Sequence, residues 1–295
     1  AMRVLLTGGT GFIGSRVLPL LKEHEVLCLS REPAKLPRRH GMEAITADLG
    51  RDGDWINETV RFQPEWCLHL AWEGLPDYSL ERCRANLDAG LRLIGAVARS
   101  GIRRMVVAGT CAEYGHASGA VSEDSVPIDR GFCAATKHAQ LNVLEAVARD
   151  AAFSYQWARI FFVYGPGQMQ GSLIPSLRAS YTTGQKASIR TPDAFRDFVY
   201  VEDVASALVS LVSSDVPSGV FNVGSGQPTS VGHVANLAAE YYDMPRPIKH
   251  PPVECPPGGD GFWADTHRLR AATGWRARIG TKEGVAKTLK ALDGK

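Results

Sequence analysis

What this chain lacks narrows it quickly. No apolar run among its 295 residues reaches the ~18–20 needed to cross a bilayer as a helix, so no membrane partner is expected. No sign of charge dominates. The 33 Lys and Arg stand against 31 Asp and Glu, a net +2, which leaves no global field for a nucleic-acid partner. The six cysteines (Cys28, Cys67, Cys83, Cys111, Cys133 and Cys255) include no CxxC pair and no Cys/His set at zinc spacing. Reduced thiols and no metal site are the expectation. The first residues lack the basic, apolar and small-residue layout of a signal peptide, and a cytoplasmic protein is expected. No internal repeat or block of like charge interrupts the chain. At 44% hydrophobic residues and this length, there is material for one large or two unequal domains with a real core.

What is present alternates. Short apolar runs and longer amphipathic stretches follow one another through the first half, the sequence form of repeated βα units and a parallel sheet. Strands are expected at Arg3–Thr7, Glu25–Ser30, Glu43–Thr46, Glu65–Leu70, Arg104–Gly109 and Ser154–Phe162. Helices are expected over Gly11–Lys22, Ser79–Ser100 and Ala134–Arg149, giving an α/β, doubly wound sheet over residues 1–165. After Tyr164-Gly165-Pro166-Gly167 the texture changes to glycines, prolines and short helical pieces. Residues 166–295 then read as mainly a smaller C-terminal substrate lobe, with some segments returning to the first core. Its expected elements are Arg196–Val201, a helix at Glu202–Ser213, a strand at Val220–Val223, and helices at Val231–Tyr242 and Thr281–Leu292. Such a lobe would cap the open sheet edge where ligands of these sheets bind.

The stretch Thr7-Gly8-Gly9-Thr10-Gly11-Phe12-Ile13-Gly14 lies between the first strand and the first helix. Glycines at 8, 11 and 14 allow a tight turn, close backbone approach to a pyrophosphate, and a helix start whose free N–H groups face the anion. A plain tight turn is the bland alternative. At the end of the second strand, where a carboxylate would bind the ribose 2′-OH of NAD, the chain reads Leu29-Ser30-Arg31, with no acid before Glu32. A hydroxyl followed by a guanidinium suits a 2′-phosphate, so NADP (NADPH) is favoured over NAD; a solvated surface Arg31 is the alternative.

Together with the later motifs, this turn makes the chain resemble an extended short-chain dehydrogenase/reductase of the nucleotide-sugar epimerase/dehydratase type, nearly end to end. Asp48-Leu49 is similar to the family's adenine-contacting pair, Leu68-His69-Leu70-Ala71 ends the fourth strand beside the cofactor, and Asn86 falls on the following helix. Arg196-Asp197-Phe198-Val199-Tyr200-Val201-Glu202-Asp203-Val204 and Phe221-Asn222-Val223-Gly224-Ser225-Gly226 resemble two signatures of the C-terminal part. The resemblance implies a Rossmann-type fold and a cofactor held by Gly8, Thr10, Gly11, Phe12, Ile13, Gly14, Ser30, Arg31, Asp48, Leu49, Leu70, Ala71, Trp72 and Lys137. It implies a homodimer acting on a nucleotide sugar, with Gln168, Arg196 and the Gly171–Pro175 segment near the nucleoside diphosphate. For Arg196 a structural ion pair with Asp197 or Asp203 is the alternative. Trp72, Trp263 and the aromatics of 161–164 are candidates for stacking, with core packing the alternative.

Within the family, the segments around Trp72, Thr110 and Phe161–Pro166 are similar to those of 4-keto-6-deoxy-sugar nucleotide reductases. The 4,6-dehydratases carry an Asp-Glu pair after the active-site Thr; here Cys111 and Ala112 stand there, so dehydration loses its acid and base. Phe162 replaces the family's frequent Asn before the Tyr-Gly-Pro turn. Family chemistry is carried by Ser/Thr, Tyr and Lys. Thr110 fits the hydroxyl, and Lys137, the only lysine between Lys35 and Lys186, fits the lysine that binds the nicotinamide ribose. The Tyr-x-x-x-Lys spacing then calls for tyrosine at 133, and position 133 is Cys. None of the eight tyrosines stands four residues before a lysine.

Three readings stay open. Cys133 is itself the acid/base, its pKa pulled below the usual ~8.5 by Lys137 and an oxidised nicotinamide. Tyr114, Glu113 or His138 supplies the proton instead. Or the chain binds nucleotide and is catalytically silent. The reaction expected is NADPH-dependent reduction of a nucleotide-linked 4-keto-6-deoxy sugar, with a NAD-retaining nucleotide-sugar epimerase as the alternative.

Overall fold

The apolar runs become strands that are covered on both faces. Val4, Leu5 and Leu6, then Cys67 and Leu68, then Met105, Val106 and Val107 are all fully buried, as a parallel sheet between two helical layers requires. In the computed structural model, which describes residues 1–128 and 131–295, the first part runs β1 (Arg3–Thr7), α1 (Gly14–Val17), β2 (Glu25–Ser30), β3 (Met42–Thr46), α2 (Asp54–Phe62), β4 (Trp66–His69), α3 (Leu80–Ala98), β5 (Arg104–Thr110), β6 (Gly119–Val121), α4 (Phe132–Asp150) and β7 (Ser154–Ile160). It continues with β8 (Phe162–Tyr164), α5 (Leu173–Thr182), β9 (Phe195–Tyr200), α6 (Val201–Ser213), β10 (Gly219–Val223), β11 (Pro228–Ser230), α7 (Val231–Tyr241), β12 (Gly261–Ala264), α8 (His267–Thr273) and α9 (Thr281–Leu292).

Among the described residues, seven strands form one parallel sheet in the order β10-β7-β5-β4-β1-β2-β3. This is the doubly wound Rossmann arrangement. The winding reverses between β1 and β4, which opens a crevice beyond their carboxyl ends. Alternate residues face opposite layers. Val4 and Leu6 meet Val17 and Leu21 together with Val204, Leu208 and Leu211 of α6. Leu5 meets Leu93 and Val97 of α3 and Leu144 of α4 on the other face.

A second sheet, in the order β11-β9-β12-β6 with β8 beside the far half of β9, is covered by α5, α7 and α9. Asp197 of β9 joins its parts. Buried, it accepts hydrogen bonds from Ser225 N at 2.7 Å, Gly226 N at 2.9 Å and Ala264 N at 3.0 Å.

Two expectations are corrected. The helix expected over Gly11–Lys22 is α-helical only over Gly14–Val17 and tightens into a 3-10 turn over Leu18–Leu21, where Pro19 removes a backbone donor. The strand expected over Ser154–Phe162 divides at Phe161. There the chain leaves β5 and β10 and enters the second sheet beside β9, with Phe161 N bonded across to Val223 O at 2.9 Å.

Candidate active site

The turn after β1 shows why glycine is required. Gly8 has φ of +75°, and a Cβ there would lie 2.7 Å from Ala71 N; a Cβ on Gly14 would lie 2.0 Å from Gly8 O. The glycine turn thus packs backbone on backbone, against the chain just after β4 at Gly8 and against itself at Gly14. Thr7 locks the two strand ends at the switch point. Its Oγ1 accepts from Leu70 N at 3.2 Å and Ala71 N at 3.3 Å, so its proton goes to His69 Nδ1 at 2.7 Å. Burial drives the His69 pKa down to about 3, so the imidazole is neutral.

Two adjoining cavities fill the crevice. One, about 240 Å³, is lined by Thr10, Leu29, Ser30, Arg31, Ala47, Leu49, Ala71 and Glu73 together with Gly8, Gly11, Leu70 and Trp72. The other, about 600 Å³, shares those last four residues. It extends past Phe12, Ile13 and Gly14 to Thr110, Cys133, Lys137, Gln168 and Ser172. The crevice therefore brings together every expected cofactor residue except Asp48, which instead accepts from Gly50 N at 3.0 Å and pairs with Arg51 at 3.1 Å.

Lys137 is buried on the inner face of α4. Its Nζ donates to Ala108 O at 2.6 Å and lies 4.2 Å from the centre of the Trp72 ring. Burial lowers its pKa to about 8, against the opposing pull of Cys133 and Glu113. Thr110 ends β5. Its Oγ1 accepts from Ala112 N at 3.2 Å, while its own N–H donates to Glu113 Oε1 at 3.0 Å. Glu113 is fully buried and also receives Arg159 Nε at 2.8 Å and Trp157 Nε1 at 3.0 Å.

The proton-donor candidates separate clearly. Cys133 lines the larger cavity, but the expected fall in its pKa is corrected: burial raises it, outweighing the downward pull of Lys137. Tyr114 is buried outside both cavities with its hydroxyl donated to Asn222 Oδ1 at 2.7 Å, and Glu113 is spent on the bonds above. His138 lines neither cavity. Gln168 Oε1 accepts from Gly165 N at 3.1 Å, holding the Tyr-Gly-Pro-Gly turn at the cavity mouth. Arg196 lies outside the cavity. Its partner is Asp260 at 3.0 Å rather than Asp197 or Asp203, and its guanidinium covers the Phe162 ring at 5.5 Å. Trp263 lines a separate depression with Gly224–Gln227.

Among the cavity residues that went unread in the sequence, Glu73 and Tyr78 carry titratable side chains, and both lie on the loop between β4 and α3. Glu73 pairs with Arg31 at 3.1 Å, and its main chain is clamped by Asn86 through bonds of 2.7 and 3.0 Å. The available signal was positional: a loop leaving a strand at the switch point faces the crevice whatever its composition.

A glycine turn at the reversal of a parallel sheet, leading to a crevice with a buried lysine and a threonine at its far end, defines an oxidoreductase of the extended short-chain dehydrogenase/reductase class. Residues 4–224 match the family model described as "NAD dependent epimerase/dehydratase family", and the chain belongs to that family. It is similar to a dTDP-6-deoxy-L-talose 4-dehydrogenase (NAD(P)(+)) of Kitasatospora kifunensis, 30% identical over 96% of this chain and 93% of that protein. A dTDP-L-rhamnose 4-epimerase of Burkholderia thailandensis is 26% identical over 83% of this chain and 82% of that one. Among solved structures, MoeE5 in complex with UDP-glucuronic acid and NAD superposes with a TM-score of 0.84 at 30% identity, covering 99% of both chains.

Proposed function

We propose that the protein is an NADPH-dependent reductase of a nucleotide-linked 4-keto-6-deoxy sugar. The observation that carries this reading is the single crevice with Ser30 and Arg31 at one end and Thr110 and Lys137 at the other. The residues present fit a dinucleotide. Gly8 and Gly11 line both cavities without side chains, Ser30 and Arg31 offer a hydroxyl and a planar donor fork to a 2′-phosphate, and Lys137, on the wall of the larger cavity, would hold the nicotinamide ribose. When bound, the nicotinamide supplies the hydride for the carbonyl carbon.

The chain's own groups do the rest. Thr110, held by its bonds to Ala112 and Glu113, presents a hydroxyl to the carbonyl oxygen. Lys137 adds a positive charge where negative charge develops on that oxygen. The proton comes from the cavity wall that Cys133 helps to form. Gln168 and Ser172 line the same cavity and would offer polar groups to a sugar diphosphate. The similarity to a dTDP-6-deoxy-L-talose 4-dehydrogenase supports a 6-deoxy sugar with the chemistry at C4.

A second reading, epimerisation with a retained NAD, is favoured by one observation. The Glu73 carboxylate lines the smaller cavity and gives a ribose 2′-OH an acceptor that the end of β2 lacks. The test is NADPH oxidation, followed by absorbance, across a panel of nucleotide-linked 4-keto sugars with the native protein. Lys137→Ala should lower turnover by at least ~100-fold, the scale of a lost electrostatic contact to a developing oxyanion. A native rate in that variant sinks the assignment, and tightly bound NAD in the purified protein reverses the order of the two readings.

A further inference from the structure

Reduction of a carbonyl needs a proton at oxygen as well as a hydride at carbon. Among the described residues of the larger cavity, the side chains with a dissociable proton are Tyr78, Thr110, Cys133, Lys137 and Ser172. Lys137 is tied to the Ala108 carbonyl beneath the Trp72 ring, and Thr110, whose Oγ1 accepts from Ala112 N, can hydrogen-bond the carbonyl oxygen but as an alcohol is a poor acid. Ser172 stands at the start of α5, and its alcohol is likewise a poor acid. Cys133 carries its sulfur one bond beyond Cβ, close to the α4 backbone. Among the described residues Tyr78 is the only tyrosine lining the cavity, 51% exposed, on the loop that leads into α3, the helix packed along α4. A phenol oxygen stands several bonds further from its backbone than a thiol sulfur does. A tyrosine entering from the α3 side therefore reaches across the volume that a cysteine on α4 leaves open.

We propose that Tyr78 is the catalytic proton donor, its phenol entering from the loop before α3 over Cys133, beside Thr110 and Lys137. The assignment rests on the ketoreductase reading above. As the new C–H bond forms at the carbonyl carbon, the π pair of the carbonyl moves onto oxygen and takes the Tyr78 proton. The phenol O–H bond breaks, leaving a sugar hydroxyl, the oxidised nicotinamide and a phenolate. Because Tyr78 is half exposed, water returns its proton after release of product. Burial and the neighbouring Cys133 both raise the Tyr78 pKa, which keeps the phenol protonated, the form a donor needs.

The experiment is Tyr78→Phe, a change at an exposed ring that leaves the fold intact. With a dTDP-linked 4-keto-6-deoxyhexose and NADPH, kcat should fall by ~100-fold or more, the range of general acid catalysis, while NADPH affinity and KM stay near native values. With isotope-labelled tyrosine, the resonance absent from the variant should shift in the native protein when the dTDP-linked 6-deoxyhexose product is added. A kcat within about threefold of native, or a Tyr78 resonance that does not respond, overturns the assignment and leaves the ketoreductase reading standing. Failure of the native protein to oxidise NADPH with any nucleotide keto sugar overturns the ketoreductase reading, and this assignment with it.

Discussion

Lys137 holds a positive charge in a place where burial opposes it, with one carbonyl and an indole face for company. Its pKa near 8 gives a sign-definite expectation. As pH rises through about 8 the ammonium is lost and with it the charge beside the carbonyl oxygen, so kcat/KM should bend downward there. Lys137→Arg, which stays charged, should remove that bend from the pH profile even though its overall rate is lower. The unfolded lysine keeps its proton to an ordinary value of 10.5, so between about 8 and 10.5 the unfolded chain binds the extra proton. In that window this group's contribution to stability increases with pH. Arg31 and Glu73 make a second expectation. Their ion pair is exposed and weak in itself, yet a 2′-phosphate must draw Arg31 away from that carboxylate. Glu73→Gln should tighten NADPH relative to NADH and Arg31→Ala should do the reverse, each by about tenfold in Kd for one charge-assisted contact, read by cofactor fluorescence titration. An unchanged ratio in both variants removes the pair from cofactor selection.

At the scale of elements, the single turn after β5 does more than connect. Thr110 and Glu113 cap it reciprocally, and Glu113 carries that cap into the sheet through Arg159 and Trp157 of β7. The Glu113–Arg159 pair is almost completely buried, at 0% and 3% side-chain exposure, so removing one member strands the other charge. Glu113→Ala should cost ~3–5 kcal/mol of unfolding free energy in urea denaturation. The same variant releases the N–H of Thr110, so turnover should fall even where the protein remains folded. A loss under ~1 kcal/mol would mean that Arg159 finds water or another partner. This turn also shows why Glu113 looked like an acid/base in the linear chain: it lies three residues after Thr110, yet it points into the sheet and away from the cavity.

At the scale of the whole molecule, the chain crosses between its two sheets several times. β10 pairs with β7 at the edge of the first sheet, and α6 covers one face of that sheet with Val204, Leu208 and Leu211. β6, from the earlier part of the chain, pairs with β12 in the second sheet. A fragment of residues 1–165 therefore lacks an edge strand and a helix over its core. It should lack a cooperative urea transition and bind a hydrophobic dye, whereas the whole chain unfolds in one transition. A fragment that unfolds cooperatively would show that the first sheet folds without α6.

The strands β1 and β2 and the last helix are legible to the residue because their apolar runs end at glycine, charge or proline, local signals that need no partner. The glycine turn is legible for the same reason, since backbone clearance follows from local sequence, whereas Thr110 and Lys137 are read through the family resemblance. The break at Phe161 is not legible, because the apolar run continues through it and only the choice of neighbouring strand divides it. Nor is the loop that carries Glu73 and Tyr78, whose residues have no periodic pattern and acquire meaning from what faces them. Sequence alone determined the class of fold, the place of the glycine turn, and the absence of tyrosine at position 133. Tertiary structure decided which groups are free to act, because burial and hydrogen bonding commit Glu113, Tyr114 and Arg196 elsewhere and leave Tyr78, Cys133 and Lys137 around one cavity.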